Sequence, residues 1–129
     1  MKKLILAVLL IVTSTSAMAE WTRINAGDNA DDYVNYSSIR KTGNKVKMWT
    51  LRDWKTIHII DGPKPYLSEV VQFEYDCDAE TYIILAWSNF SGSMGKGGVT
   101  ESASFRGDVN PIYPDSIAER NWKIACGKK

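Results

Sequence analysis

"VVQFEYDC", residues 70–77, decides how the chain is read. Val71, Phe73, Tyr75 and Cys77 alternate with Gln72, Glu74 and Asp76, and a period of two marks a β-strand with one buried face. Cys77 stands on the apolar side of that alternation, so it points into the buried face. Downstream, "TYIILAWSNF" (81–90) has a different pattern. Ile83, Leu85 and Trp87 alternate with Tyr82, Ile84 and Ala86. Both sides are apolar, as in a strand covered on both faces.

Upstream, "EWTRIN" (20–25) and "DDYVNY" (31–36) are short strand candidates around the turn-rich "AGDNA" (26–30). "SSIRKTGN" (37–44) reads as a turn and "KVKMWTLRDW" (45–54) as a longer strand. "GVTESAS" (98–104) adds another, and "PIYP" (111–114) ends the β region.

The last stretch, "DSIAERNWKIACGKK" (115–129), has helical periodicity. Ser116 can cap its start and Glu119, three positions on, can complete a capping box. Ile117, Ala118, Trp122, Ile124, Ala125 and Cys126 fall on one broad arc, with Glu119, Arg120 and Lys123 opposite. Gly127 is placed to end the helix, and Lys128 and Lys129 suit its negative end.

The N-terminus reads as an export signal. Lys2 and Lys3 precede a nine-residue apolar run, Leu4 to Val12, and small residues end at Ala17-Met18-Ala19. Such a run covers about 14 Å of helix, well short of a hydrocarbon core of roughly 30 Å. The sequence therefore divides into a signal peptide, 1–19, and one domain, 20–129, with no transmembrane span. Glu20 stands where a lipoprotein would carry its acylated cysteine. Soluble export to the periplasm or cell surface is the expectation.

Cys77 and Cys126 are the only cysteines, and in an oxidising compartment they are expected to form one disulfide. It would tie the end of the helix to the buried face of the 70–77 strand. The fold class is thus α+β: a single antiparallel sheet of about five to six strands with a C-terminal helix packed on one face. One helix covers one face only. The second apolar face needs sheet curvature or another chain to cover it.

Little in the sequence suggests catalysis. Without Lys2 and Lys3 the formal charge of +1 falls to about −1, which gives no general affinity for nucleic acid. "SGSMGKGG" (91–98) has the residue types of a phosphate cradle. Phe90 and Gly97, however, occupy the positions where a P-loop needs its first glycine and its magnesium-binding hydroxyl. It reads as a glycine-rich connection between strands, with Lys96 at its tip. His58 is the only histidine and reads as an ordinary strand-end residue. One histidine and no free thiolate leave no zinc set, and no cofactor is expected. Glu74 and Asp76 read as a solvated outer face rather than a glycosidase pair. "DNADD" (28–32) lacks the spacing of a calcium loop.

The segment 40–55 is basic and aromatic. Lys45, Lys47, Trp49, Arg52, Trp54 and Lys55, together with Lys96, are the candidate partner-binding residues. Such a surface suits an acidic protein segment or a sulfated glycan.

Taken in order, "EWTRI", "SSIRKTGN", "KVKMWTLRDW", "EYDCDAETY", "SGSMGKGG" and "PDSIAERNWKIACGK" resemble the bacterial surface-adhesin protein E family over essentially the whole of 20–129. The resemblance implies an antiparallel sheet with a C-terminal helix, a Cys77–Cys126 disulfide, and dimerisation in some relatives. It also implies a non-enzymatic role, adhesion to host extracellular-matrix proteins such as vitronectin and laminin. A periplasmic accessory protein or enzyme inhibitor is the alternative that the same small disulfide-braced domain allows.

Overall fold

The computed structural model describes residues 20–59 and 64–129; the expected signal peptide lies outside them. Among the described residues, eight antiparallel strands form one sheet: β1 (Thr22–Ala26), β2 (Ala30–Val34), β3 (Arg40–Thr42), β4 (Lys45–His58), β5 (Tyr66–Asp76), β6 (Thr81–Phe90), β7 (Val99–Ser104) and β8 (Asn110–Pro111). The main path runs β1-β2-β4-β5-β6-β7, with β3 beside β4 and β8 beside β6. One helix, α1 (Ile117–Cys126), follows.

Directly opposite residues in an antiparallel pair share a face, so the register assigns the two sides. Val46 meets Tyr75, Met48 meets Phe73 and Thr50 meets Val71. These residues face α1. Val34, Val46, Met48 and Tyr75 form the core with Trp122 and Ala125 of the helix. The expected alternation of Val71, Phe73 and Tyr75 therefore holds, and β5 itself begins earlier than expected, at Tyr66.

The helix begins as its sequence predicts. Ser116 Oγ accepts the Glu119 N–H at 3.1 Å. The return half of the capping box does not form, because the Glu119 carboxylate pairs with Lys123 at 3.5 Å instead. Gly127, with φ 66°, ends α1 in the left-handed region, where glycine has no Cβ to strain. Two fastenings then join the helix to the end of β5. Cys77 and Cys126 form a disulfide with Cα atoms 5.7 Å apart, and Trp122 Nε1 donates to the Asp76 carbonyl at 2.9 Å.

The opposite face has a cover that the sequence did not suggest. Residues 91–98 connect antiparallel β6 and β7, as their glycines suggest, and also turn back across the sheet. Gly92 N–H donates to the Lys96 carbonyl at 3.0 Å, and a 3-10 turn spans Ser93–Gly95. Ser68 Oγ donates to the Gly92 carbonyl at 2.6 Å and accepts the Gly95 N–H at 2.9 Å. Asp53 Oδ1 accepts the Met94 N–H at 2.9 Å. Gly95 lies so close that a Cβ there would be 3.5 Å from Leu51 Cδ1 and 3.6 Å from Val70 Cγ2. This loop supplies part of the second cover from the chain itself.

Two bulges also alter the simple alternation. Opposite Gln72 and Phe73, β6 carries Leu85 as an extra residue. Ile84 and Trp87 therefore share the helix face, opposite Phe73 and Val71. Between the pairs Asp53–Ser68 and His58–Tyr66, β4 has four residues, Trp54 to Ile57, where β5 has only Leu67. Glu74 also departs from its expected solvation. It is only 9% exposed and accepts from Arg106 Nη2 at 2.8 Å.

Candidate functional site

Alternation along β4 divides the basic and aromatic segment between the two faces. Lys45, Lys47 and Trp49 share the side of Leu51 and Asp53, beneath the 91–98 loop. Lys55 lies near this side, with its ammonium 4.0 Å from Asp31. Exposed Lys96 belongs to the same loop. Arg52 and Trp54 belong instead to the helix side of the sheet.

On the loop side, Trp21, Asn35, Trp49 and Val70 line a shallow apolar hollow of about 300 Å³. Trp21 falls within the 20–25 strand candidate but was not singled out as a binding residue; in the structure it stands just before β1. Exposed Lys47 is the next same-face residue along β4 from Trp49. Lys45 is less available, since its ammonium lies 3.0 Å from Asp76. The Ala79 N–H and Lys45 hold the Asp76 carboxyl down at about 2. An apolar hollow with cations at its margin is the arrangement of a protein-contact surface.

Arg52 and Trp54 are engaged on the other side. Arg52 Nε donates to Asp32 Oδ1 at 2.8 Å, and Arg52 Cζ is 5.6 Å from the Trp54 ring centre. Across the four-residue bulge, Trp54 stacks on His58 with ring centres 3.9 Å apart and planes within 4°. His58 in turn meets Tyr66 edge-on at 5.4 Å. His58 does stand at a strand end, as expected, but the bulge gives it an aromatic partner that regular pleating would keep far away.

Glu69 completes this cluster opposite Arg52. Burial raises its carboxyl above the ordinary value, although Arg52 and His58 act to lower it. Tyr66 is likewise raised, first by burial and then by Glu69. Sequence reading missed Asp32, Tyr66, Glu69 and Asn121. Their grouping depends on strand register, and only the alternation of Glu69 with Val70 hinted at which side Glu69 takes.

No cluster of three metal-ligating side chains occurs among the described residues. Nor is any helix among them long and apolar enough to cross a membrane.

Comparisons with known proteins agree with this architecture. A solved structure of Haemophilus influenzae protein E, in its crystal form II, superposes with a TM-score of 0.67 at 14% identity, covering 88% of this chain and 91% of that one. A second Haemophilus influenzae protein E structure gives 0.64 at 15% identity, covering 88% of each chain. Protein E from non-typeable Haemophilus influenzae gives 0.57 at 12% identity, covering 81% of this chain and 75% of that one. Among curated proteins, no sequence match is found. At these identities the structural likeness establishes the open sheet with its C-terminal helix. The family assignment rests on the sequence model for surface-adhesin protein E, which matches residues 21–127. With nearly all of the described chain inside that match, the protein belongs to the surface-adhesin protein E family.

Proposed function

We propose that residues 20–129 form an exported, non-enzymatic binding domain that adheres to a protein partner through the sheet face opposite α1, after removal of residues 1–19. The family is one of surface adhesins, and a host extracellular-matrix protein is the partner class that this reading adopts. The hollow between Trp21, Trp49 and Val70 carries this reading, because it leaves aromatic surface open on the face that α1 does not cover. Lys47, Lys55 and Lys96 would add a basic margin, with Lys45 contributing when released from Asp76. The same open face could also accept a second copy of the chain.

The test uses the purified 20–129 protein against immobilised vitronectin and laminin, with albumin as the control. Saturable binding that the Trp49→Ala, Lys47→Ala double variant weakens by about tenfold or more, at unchanged thermal stability, is expected for a contact centred there. Failure of the wild-type protein to bind either matrix protein would remove the reading. Protease treatment of intact cells locates the domain. Cleavage supports surface adhesion, whereas protection until the outer membrane is opened supports a periplasmic accessory role.

A further inference from the structure

The sheet ends in two edges that the chain treats differently. Along β1, the extra residue Ile24 interrupts the pairing with β2. Arg120 Nη1 of α1 also donates there, to the Ile24 carbonyl at 2.9 Å and to Asn25 Oδ1 at 3.2 Å. Bulges and covering side chains of this kind keep an edge from accepting another strand. Along β7 no such cover exists among the described residues: the strand pairs with β6 on one side only, and Ser102 and Ser104 are exposed. Its one bulge, at Thr100, lies before the regular stretch 101–104.

The register shows which backbone groups are open. Phe105 N–H donates to the Leu85 carbonyl at 3.0 Å, and Ala103 and Glu101 stand opposite Trp87 and Asn89 in the same register. In an antiparallel pair, residues bonded to the neighbouring strand alternate with residues that turn both backbone groups away. Ser102 and Ser104 therefore each direct an N–H and a carbonyl outward. Side chains alternate as well. Trp87 lies on the α1 side of the sheet, opposite Val71, so Glu101, Ala103 and Phe105 line that side of the edge as acid, small residue and aromatic. Phe105 is 53% exposed. Glu101 is exposed too, and among the described residues it makes no ion pair.

We infer that β7 accepts an extended segment of another protein as an added antiparallel strand, bonded through the backbones of Ser102 and Ser104, with a basic side chain beside Glu101 and an apolar one beside Phe105. Read from its own N-terminus, the segment carries the apolar residue four positions before the basic one. Main-chain bonds supply the affinity in strand addition, and side chains at alternate positions supply the selectivity. The Glu101 carboxylate selects the charge of the segment, since an opposite charge across a strand pair is favourable and a like charge is not. A second copy of the chain fits less well. Pairing β7 with itself about Ala103 would use the same backbone groups, but would set each Glu101 carboxylate opposite Phe105 of the other copy. Strands β5 and β6 separate this edge from Trp49 on β4, so this proposal and the matrix contact can each fail without the other.

The experiment titrates the 20–129 protein with the peptide acetyl-Thr-Ile-Thr-Val-Thr-Lys-Thr-amide, read by two-dimensional NMR and amide hydrogen exchange. Saturable shifts along 101–105 are expected at millimolar peptide, with exchange slowed at Ser102 and Ser104. N-methylation of the peptide's second and third threonines, which would meet Ser104 and Ser102, is expected to abolish binding and needs no change to the protein. Exchanging the peptide lysine for glutamate should weaken binding about fivefold, the scale of one cross-strand charge pair, and Glu101→Gln should remove that preference. Ser102→Pro deletes an outward N–H without breaking the ladder to β6, and should also abolish binding. Cooperative thermal unfolding shows that each variant is folded when measured. Absence of saturable shifts, protection away from Ser102 and Ser104, or undiminished binding of the N-methylated or glutamate peptide would overturn the inference, as would undiminished binding to Ser102→Pro. Protection of these amides that grows with protein concentration alone, and that the peptide does not displace, would assign the edge to a second copy and overturn it as well.

Discussion

Ser68 and Gly95 are joined by a hydrogen bond of 2.9 Å, from the Gly95 N–H to a serine hydroxyl that is completely buried. Since Ser68 also donates to Gly92, one side chain satisfies two backbone groups of the returning loop. Ser68→Ala leaves both without that partner and is expected to cost about 1–3 kcal/mol. Chemical denaturation measures the loss. Hydrogen exchange should show it concentrated at Gly95, and unchanged protection there would mean the loop is held by other contacts.

Glycine is needed unequally along this loop. At Gly97, with φ +81°, a Cβ would run into Ser91 Oγ and come 3.1 Å from the Gly92 nitrogen. At Gly98 it would meet nothing within 4 Å. Gly97→Ala should therefore destabilise by about 1–3 kcal/mol, while Gly98→Ala should fall within about 0.5 kcal/mol of wild type. Equal thermal shifts in the two variants would contradict the loop geometry.

The disulfide closes a loop spanning 49 sequence positions. On the chain-entropy account, opening it costs about 4 kcal/mol. The paired Cys77→Ser, Cys126→Ser variant should show a correspondingly lower denaturation midpoint. Unreduced wild-type protein should give no reaction with a thiol reagent, and two reactive thiols would exclude the bridge.

Asp76 and Glu69 give acid responses of opposite sign. The Asp76 value is held below the ordinary 3.8, at about 2, chiefly by the Ala79 N–H and Lys45. Its stabilising contribution is present above 3.8 and is lost as the pH falls toward about 2. Asp76→Asn should flatten the acid limb of the stability profile. Glu69 is raised above 4.5 by burial, so its ionisation opposes folding as the pH rises past that value. Glu69→Gln should remove that decline, and thermal unfolding across the acid range measures both effects.

Much of the architecture was legible because it depends on local periodicity. The alternation through Phe73 and Tyr75 identified the face that meets α1, and Ser116 with Gly127 marked the ends of the helix. Contacts between distant positions were not legible. Ser68 meets Gly92 across 24 positions and Asp53 meets Met94 across 41, and neither separation carries a periodic signal. The candidate binding residues show the same limit. Their strand was recognisable, and the sides taken by Trp49 and Arg52 followed from its pleat. The Trp54–His58 stack depended on a bulge whose extra residues have no compositional mark.

The Cys77–Cys126 bridge also has a mechanical consequence. Tension applied between the two ends of the domain passes along β1 to β5, crosses the sulfur atoms, and leaves through the last three residues. Strands β6 to β8 and the helix lie inside the bypassed segment. Pulling cannot draw them out as extended chain while the bridge is intact. For a protein anchored at one end, almost half of the domain would be shielded from unravelling under load.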